Sequence, residues 1–349
     1  MSKRVRLVVF AFGALVFGGL LYRAGVDGLL RNLRSTAWVL GPIVAVWGVV
    51  YVSNTLAWET LIRAGAHHTA KTGAPKMIPF WRAYAISVSS FAINYVTPFV
   101  ALGGEPFRVA AAKEWIGTSR AAASVVSFRV VHTLGQVLFW VISMPVAWIL
   151  LPRTTATDIV LTVTTIVLLA IAALLLSLFH RGFLVRALNL VPRIPILRRY
   201  SVRFESARPT MEHIDEQMAE LTDGERQRLS LAILFEVVGR LIAMFEFLFI
   251  ARAMGLHIGF ATAFVIGSFS QLATNLTVFI PFELGSKEGG LYLIFGLLGL
   301  PPALGVYASV MSRLRELSWI AIGLTLTWVA GRRGVHTTPE PAEAGTTPP

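Results

Sequence analysis

A polar, helix-breaking segment occurs twice in this otherwise apolar chain. Both copies have the order Asn, Pro, Gly, Glu, and their residues are Asn94, Pro98, Gly103, Gly104 and Glu105 in the first and Asn275, Pro281, Gly285 and Glu288 in the second. In each copy Glu stands seven residues after Pro, and an arginine follows 24 or 25 residues later, at Arg129 and Arg313. Two interrupted hydrophobic segments in matching halves point to a membrane transport site.

The composition predicts that the chain lies in a membrane. Hydrophobic residues make up 55% of the 349 residues and charged residues only 14%, and apolar runs near 20 residues recur from end to end. A helix needs about 20 apolar residues to cross the hydrocarbon core, and lipid leaves helices as the default spanning unit. The net charge of +12 is typical of Arg and Lys that flank spans and contact anionic headgroups, so no nucleic-acid partner is predicted.

The apolar runs predict an all-α, polytopic fold. They indicate six full spans, at residues 7–22, 38–60, 121–151, 157–179, 229–251 and 303–330. The intervals 79–117 and 260–300 each hold an apolar helix, a Pro/Gly break and a short returning segment. We interpret both as re-entrant or broken helical hairpins, which membranes tolerate only where the opened backbone is buried in protein or lines a wet cavity.

The Lys and Arg bias of the connections places both termini in the cytoplasm. With that orientation the two hairpins enter from opposite faces, so the halves 38–151 and 229–330 form an inverted repeat. We expect an uncleaved first helix and a cytoplasmic loop at 180–228 with an amphipathic helix. Residues 1–332 then make a single transmembrane domain, and the Thr- and Pro-rich residues 333–349 a disordered tail.

Ionisable residues at the breaks and inside the spans are the candidate site. A charge at the bilayer centre costs about 2.5–3.5 kcal/mol on insertion scales, so such residues are functional candidates. The predicted substrate-binding set is Asn94, Glu105, Arg108, Arg129, Asn275, Lys287, Glu288 and Arg313. Guanidinium groups bind phosphate in bidentate fashion, and helix N-termini add backbone donors. We therefore predict an anionic headgroup, with Glu105 and Glu288 as counter-charges or as ligands of an amine or a coupling proton.

Other polar residues favour a structural interpretation. Glu236 and Arg240 stand four residues apart and predict an internal ion pair, and Arg315 and Glu316 are grouped with them. His132 is expected to be a hydrogen-bonded interior residue. Glu59 and Glu246, each after an aromatic residue, align loosely as a further repeat pair. Because no metal-ligand spacing, P-loop or nucleophile elbow is present, no metal, cofactor or enzymatic activity is predicted.

The duplicated motif resembles a known family. Its residues resemble the signature of the flippase-like membrane domain of lysylphosphatidylglycerol synthases. In the first copy these residues are Asn94, Pro98, Gly103-Gly104-Glu105-Pro106-Phe107-Arg108, Ser119 and Arg129, and in the second copy they are Pro281, Gly285, Glu288, Leu298-Gly299 and Arg313. That resemblance covers about residues 1–330 and implies translocation of lipid across the bacterial inner membrane. Only 19 residues follow Ala330, so it implies the translocation module without the soluble aminoacyltransferase domain. Lys287 departs from the simpler glycine-rich run of the family.

Two further readings stay open. One is a membrane-embedded enzyme or accessory protein for lipid-linked substrates such as polyprenyl-phosphate sugars, with a lipid-modifying enzyme or glycosyltransferase as partner. Another is a scaffold whose intramembrane charges only hold helices together; it predicts that charge-swapped pairs regain function.

Overall fold

The described residues are entirely helical apart from turns. The computed structural model describes residues 34–64, 77–97, 103–177, 226–277 and 285–334 and the isolated positions 18, 19, 22, 185, 188, 189, 208 and 212. A 3-10 turn at Ala37–Val39 is followed by α1 Leu40–Ala64, α2 Phe80–Val96, α3 Gly104–Ile116, α4 Thr118–Leu150, α5 Thr155–Ser177, α6 Arg226–Ala243, α7 Phe245–Ala253, α8 Phe260–Leu276, α9 Ser286–Leu297 and α10 Pro302–Gly334.

Three helices in the described part of the chain are long and apolar enough to cross a membrane. They are Ala37–Ala64, Arg120–Leu150 and Thr155–Ser177, at the predicted spans 38–60, 121–151 and 157–179. The remaining predicted spans inside the described ranges, 229–251 and 303–330, are also helical, but ionisable residues interrupt their apolar sequence. The all-α membrane fold is thus confirmed, and the number of crossings stays a prediction.

Several predicted segments lie outside the described residues. They are the first span at 7–22 and the loop at 180–228, apart from isolated positions and the start of α6, and the tail from 335 onward. Helix α10 continues to Gly334 and so includes the first two residues of the predicted tail.

The predicted fifth span is two helices and not one. Helices α6 and α7 meet at Met244, where the Met244 N–H donates to the carbonyl of Leu241 at 3.1 Å and the Phe247 N–H to the carbonyl of Met244 at 3.1 Å. Both bonds span three residues, which tightens the helix locally. Met244 packs against Gly267 of α8, where a Cβ would approach the Met244 sulfur to 2.2 Å. The close crossing of these two segments coincides with the break.

The two predicted hairpins have matching dimensions. Helices α2 and α8 each contain 17 residues, and α3 and α9 contain 13 and 12. At 1.5 Å per residue, α3 and α9 extend only about 18–20 Å, which is shorter than the ~30 Å hydrocarbon core. The short returning segments therefore cannot span a bilayer alone, as the sequence predicts for a broken hairpin.

Helix pairing follows the same order in both halves. We call α1–α4 the first repeat and α6–α10 the second, with α6–α7 together as the counterpart of α1. Within each repeat the hairpin helices pack on one another and the short one packs on the long span, as α3 on α4 and α9 on α10. Between repeats α2 packs on α10, α8 packs on α4, and α1 packs on α6. The core thus forms around a central α1–α6 pair flanked by the two hairpins.

Candidate functional site

The first hairpin is closed by its own polar residues. The Gly104 N–H at the start of α3 donates to Oδ1 of Asn94 at 2.7 Å, and the Ser90 hydroxyl donates to the Gly104 carbonyl at 2.5 Å. A Cβ on Gly104 would lie 2.3 Å from the Ser90 carbonyl oxygen. Glycine is therefore needed for the close approach of α3 to α2, and Asn94 holds this junction.

In the second hairpin, the short helix α9 begins with a different local structure from that at the start of α3. Gly285 precedes α9 with a φ of 81°, a left-handed conformation that favours glycine. Its N–H donates to Oε2 of Glu288 at 2.8 Å. Among the described residues, Asn275 bonds only within α8, from Nδ2 to the Gln271 carbonyl at 2.9 Å. The two predicted asparagines therefore differ in role, while Pro98 and Pro281 lie outside the described residues.

The helices α7, α9 and α10 enclose a charge-balanced network, which we call the α9–α10 cluster. Glu288, which is fully buried, accepts from Nε of Arg313 at 2.7 Å. Nζ of Lys287 lies 2.5 Å from Oε1 of Glu316, and both side chains are buried. The Tyr95 hydroxyl donates to the other oxygen of Glu316 at 3.2 Å. Lys287, predicted to bind a headgroup, here has a buried carboxylate partner.

Arg315 connects this network to the central helices. Its Nη2 lies 3.3 Å from Oε2 of Glu246 and 3.4 Å from Oε1 of Glu316, and its guanidinium lies 3.7 Å from the Trp47 ring centroid. Glu246 also accepts from Nε1 of Trp47 at 2.7 Å and from the Ser312 hydroxyl at 2.6 Å. The cluster therefore contains three carboxylates and three cations, each carboxylate with at least two donors.

A second network, the α3–α4 cluster, lies at the equivalent place in the first repeat. Arg129 pairs with Glu105 from Nη1 to Oε1 at 3.3 Å, and its side chain is 57% exposed. Oε2 of Glu105 is buried and has no hydrogen-bond partner in the described part of the chain. This pair thus keeps an open cation and an unused acceptor, whereas the Arg313–Glu288 pair is closed.

The interior side of the α3–α4 cluster is formed by α6. Nη1 of Arg240 lies 2.6 Å from Oε2 of Glu236, which confirms the predicted i,i+4 pair. Glu236 also accepts from Nδ2 of Asn54 at 3.0 Å and lies 2.9 Å from Nδ1 of His132. His132 is thus an interior partner, as predicted. Arg240 donates further, from Nε to Oε1 of Gln136 at 3.0 Å and from Nη2 to the His132 carbonyl at 2.9 Å.

Arg108 is the exceptional cation of this cluster. It is 8% exposed, and its guanidinium carbon lies 4.8 Å from the Trp58 ring centroid and 4.4 Å from that of Phe128. Its Nε is buried without a hydrogen-bond partner, and no carboxylate in the described residues lies within ion-pair distance. Two aromatic faces stabilise a guanidinium through cation–π attraction, but they accept no hydrogen bond from its in-plane N–H groups.

The charges of the two clusters therefore differ. Not counting His132, the α3–α4 cluster has three cations, Arg108, Arg129 and Arg240, against two carboxylates, Glu105 and Glu236. The α9–α10 cluster has three of each. At the position three residues after the Glu of the motif, the first repeat has Arg108 and the second has Leu291, which is fully buried. The α3–α4 cluster therefore has one cation in excess, and the α9–α10 cluster has no cation at the position that corresponds to Arg108.

The sequence did not reveal several side-chain contacts that connect the helices to one another. These are the Trp47 contact to Arg315, the aromatic pair around Arg108, and the amide pair in which Nε2 of Gln136 donates to Oε1 of Gln271 at 2.8 Å. Gln271 stands one helical turn before Asn275 in an apolar helix, a signal that would have identified it. Glu59 has only Arg63, at 3.7 Å, as an ion partner in the described residues, and its alignment with Glu246 stays a prediction. No group of three potential metal ligands occurs among the described residues.

Comparison with known proteins gives one finding. The family described as the lysylphosphatidylglycerol synthase TM region matches residues 5–324, most of the chain. No curated protein and no solved structure matches the chain significantly. The matched range includes both hairpins and both clusters, so the duplicated motif that suggested the resemblance belongs to the region that the family defines. The chain is a member of the lysylphosphatidylglycerol synthase transmembrane-region family and thus a membrane protein related to lipid modification or translocation.

Proposed function

We propose that this protein translocates a phospholipid, or another lipid with a phosphate headgroup, across the bacterial inner membrane, with its termini in the cytoplasm. The headgroup phosphate binds to Arg108 and Arg129 while the acyl chains stay in the bilayer. The observation that carries this proposal is the buried Arg108, which lies between Trp58 and Phe128 and has no carboxylate partner in the described part of the chain.

The burial of Arg108 suggests that an anion binds beside it. Removing an ion from water costs several kcal/mol even after relaxation, and buried charges in proteins are normally paired. The neighbouring Glu236 pairs with Arg240 and His132, and Glu105 pairs with Arg129 through Oε1 only; in the described part of the chain neither carboxylate forms an ion pair with Arg108. A phosphate oxygen beside Arg108 would supply the missing counter-charge with charge-assisted hydrogen bonds.

Arg129 marks the side from which a headgroup reaches this site. Its side chain is more than half exposed on a 33-residue helix that includes an apolar span. Ionisable side chains inside membranes almost always face the bundle interior or a wet cavity, because hydrocarbon does not solvate them. The exposed face of Arg129 is therefore expected to border a water-accessible cleft, in which a headgroup could reach both guanidinium groups.

The decisive experiment replaces Arg108 by the residue of the second repeat. Purified wild-type protein and Arg108→Leu are reconstituted into liposomes, and the inward movement of a fluorescent short-chain phosphatidylglycerol is followed by quenching of the outer leaflet. Loss of one charge-assisted contact is worth about 1.5–3 kcal/mol, so the rate should fall about 10- to 100-fold. A fluorescent polyprenyl phosphate in a parallel assay identifies the lipid-linked alternative.

The matched control is Arg63→Leu, since Arg63 is an exposed arginine that pairs only with Glu59 in the described part of the chain. It should leave the rate unchanged. Because the Arg108 substitution balances the cluster charge, the variant should also melt no earlier than the wild type in detergent. Unchanged transport in Arg108→Leu, or wild-type rates equal to those of protein-free liposomes for both lipids, would overturn the proposal.

A further inference from the structure

The two repeats meet along two equivalent seams that are built differently. At the first seam, α2 and α10 approach almost backbone to backbone. A Cβ on Gly323 would lie 2.6 Å from Cβ of Ala92 and 2.7 Å from the Val88 carbonyl oxygen. The Ser89 hydroxyl donates to the Gly323 carbonyl at 3.1 Å. Such contact leaves no room between the helices, so this seam is closed along its packed length.

At the second seam, α4 and α8 are joined through side chains. Phe139 and Phe264 pack edge to face with centroids 5.1 Å apart. Farther toward Arg129, the amide of Gln136 donates to that of Gln271 at 2.8 Å. Beyond that bond both helices present exposed residues, Arg129 on α4 and Asn275 and Leu276 on α8. The amide pair therefore lies between a packed aromatic contact and an open mouth.

A polar stripe leads from that mouth along α4. Arg129, His132, Thr133 and Gln136 follow the i, i+3, i+4, i+7 pattern of one helix face, and all four are exposed or partly exposed. Gln136 lies seven residues after Arg129, or about 10 Å along the helix axis. The side-chain Oε1 of Gln136 also accepts from Nε of Arg240, which in turn donates to the His132 carbonyl. The amide bridge is thus connected to the side chains around the anion site.

An amide–amide bond is suited to repeated opening. A neutral hydrogen bond contributes about 0.5–1.5 kcal/mol net, because water or a polar headgroup replaces the lost partner. By contrast, separating the α2–α10 seam would open a closely packed interface between backbones. Of the two seams, α4–α8 is therefore the one that separates at low cost.

We propose that the α4–α8 seam is the lateral entrance for the lipid headgroup and that the Gln136–Gln271 bridge closes it. This inference rests on the proposed function. A phosphate headgroup enters from the bilayer between the two helices, displaces the amide bond and passes the polar stripe to Arg129 and Arg108. The seam between α2 and α10 stays shut throughout the cycle.

The chain has no cysteine, so the entrance can be locked by one designed pair. Gln136→Cys with Gln271→Cys is reconstituted and assayed with the same fluorescent phosphatidylglycerol. The pair is joined by oxidation, or by a short bis-methanethiosulfonate where no direct disulfide forms, and joining is verified by mass spectrometry. Transport should fall at least about 10-fold in the joined form and return on reduction. Each single cysteine variant, treated identically, is the control and should not respond.

A second variant tests the same bridge without a cross-link. Gln136→Ala with Gln271→Ala removes the closing bond and should raise the transport rate by up to about 10-fold, the equivalent of one neutral hydrogen bond. The inference is overturned if the joined form transports at the rate of the reduced form, if the two cysteines cannot be joined, or if the double alanine variant is inactive while the wild type is active. Absence of transport in the wild type would instead refute the proposed function.

Discussion

Arg313 donates from Nε to Oε1 of Glu288 across 2.7 Å, and that carboxylate has no exposed surface. In the equivalent pair of the first repeat the contact runs from Nη1 of Arg129 to Oε1 of Glu105 at 3.3 Å, and the Arg129 side chain is 57% exposed. The same motif thus gives a closed ion pair in one repeat and an open one in the other. We interpret the closed pair as a stabilising element and the open pair as part of the binding site.

This difference predicts opposite outcomes for two alanine variants. Arg313→Ala leaves the carboxylate of Glu288 buried without its cation, which costs about 3–5 kcal/mol. Arg129→Ala leaves Glu105 close to the solvent-accessible mouth and should cost about 1 kcal/mol or less. Thermal melting of the purified proteins in detergent should therefore show a large loss for Arg313→Ala and a small one for Arg129→Ala, which should nevertheless lose lipid transport.

Exchanging the charges of Glu105 and Arg129 distinguishes a binding role of this pair from a purely structural role. Glu105→Arg combined with Arg129→Glu keeps opposite charges at the same two positions but moves the open cation away from the stripe on α4. Recovery of full transport in this double variant would favour the scaffold interpretation. Equal losses of stability in Arg313→Ala and Arg129→Ala would likewise contradict the assignment of different roles.

The pair of Lys287 and Glu316 should behave as a buried structural unit. Lys287→Met removes the ammonium 2.5 Å from Glu316 and leaves that carboxylate with Arg315 and Tyr95. Glu316→Gln added to it removes the excess charge but keeps an acceptor for Tyr95. Because replacing both members of a buried pair is often close to neutral while breaking one is costly, the double variant should be more stable than Lys287→Met by about 1–3 kcal/mol. Chemical denaturation of all four proteins in the cycle measures this coupling.

If the stability effects of Lys287→Met and Glu316→Gln are additive, the Lys287–Glu316 ion pair does not explain the loss of stability in Lys287→Met. Additive effects would also reopen Lys287 as a headgroup ligand, which is the role that the sequence favours for it. Position alone could not decide between these roles, since the partner Glu316 is 29 residues away along the chain and meets Lys287 only through the packing of α9 on α10.

Other features of the fold could be predicted from the sequence. The apolar runs and the Pro/Gly breaks predicted the hairpins, and the starts of α3 at Gly104 and α9 at Ser286 lie where the breaks indicated. Glu236 and Arg240 were predictable because an i,i+4 pair is local. The duplicated motif also placed Glu105, Arg108 and Arg129 in one candidate site, but it did not predict that Arg108 would lie between Trp58 and Phe128.

The remaining contacts depend on helices that are distant in sequence. Trp47 reaches Glu246 on α7, and Asn54 reaches Glu236 on α6, because α1 packs against the second repeat. The division of the fifth span at Met244 also follows from its crossing with Gly267 of α8. No periodicity within a single segment contains this information, so the charge imbalance between the clusters could only be recognised in the folded molecule.

Two glycines test how closely the first hairpin is packed. A Cβ at Gly104 would meet the Ser90 carbonyl at 2.3 Å, whereas one at Gly289 has no neighbour within 4 Å. Gly104→Ala should therefore force α3 away from α2, at a cost of about 1–3 kcal/mol. Gly289→Ala should be neutral or stabilising by up to about 1 kcal/mol, because alanine is the better helix former. Melting temperatures of the two variants give the comparison, and similar values would show that α2 and α3 are not in close contact.

The orientation of the repeats is the last prediction. The Lys and Arg bias places residues 72 and 212 in the cytoplasm and residue 155 outside. Single cysteines at Thr72, Glu212 and Thr155, in a chain that has no others, should react with a membrane-impermeant maleimide from those sides only. Inside-out vesicles should label the first two, and intact spheroplasts the third. Labelling of positions 72 and 155 from the same side would mean that the chain crosses the membrane an even number of times between them, and not once as the prediction requires. The inverted arrangement of the two repeats would then be wrong.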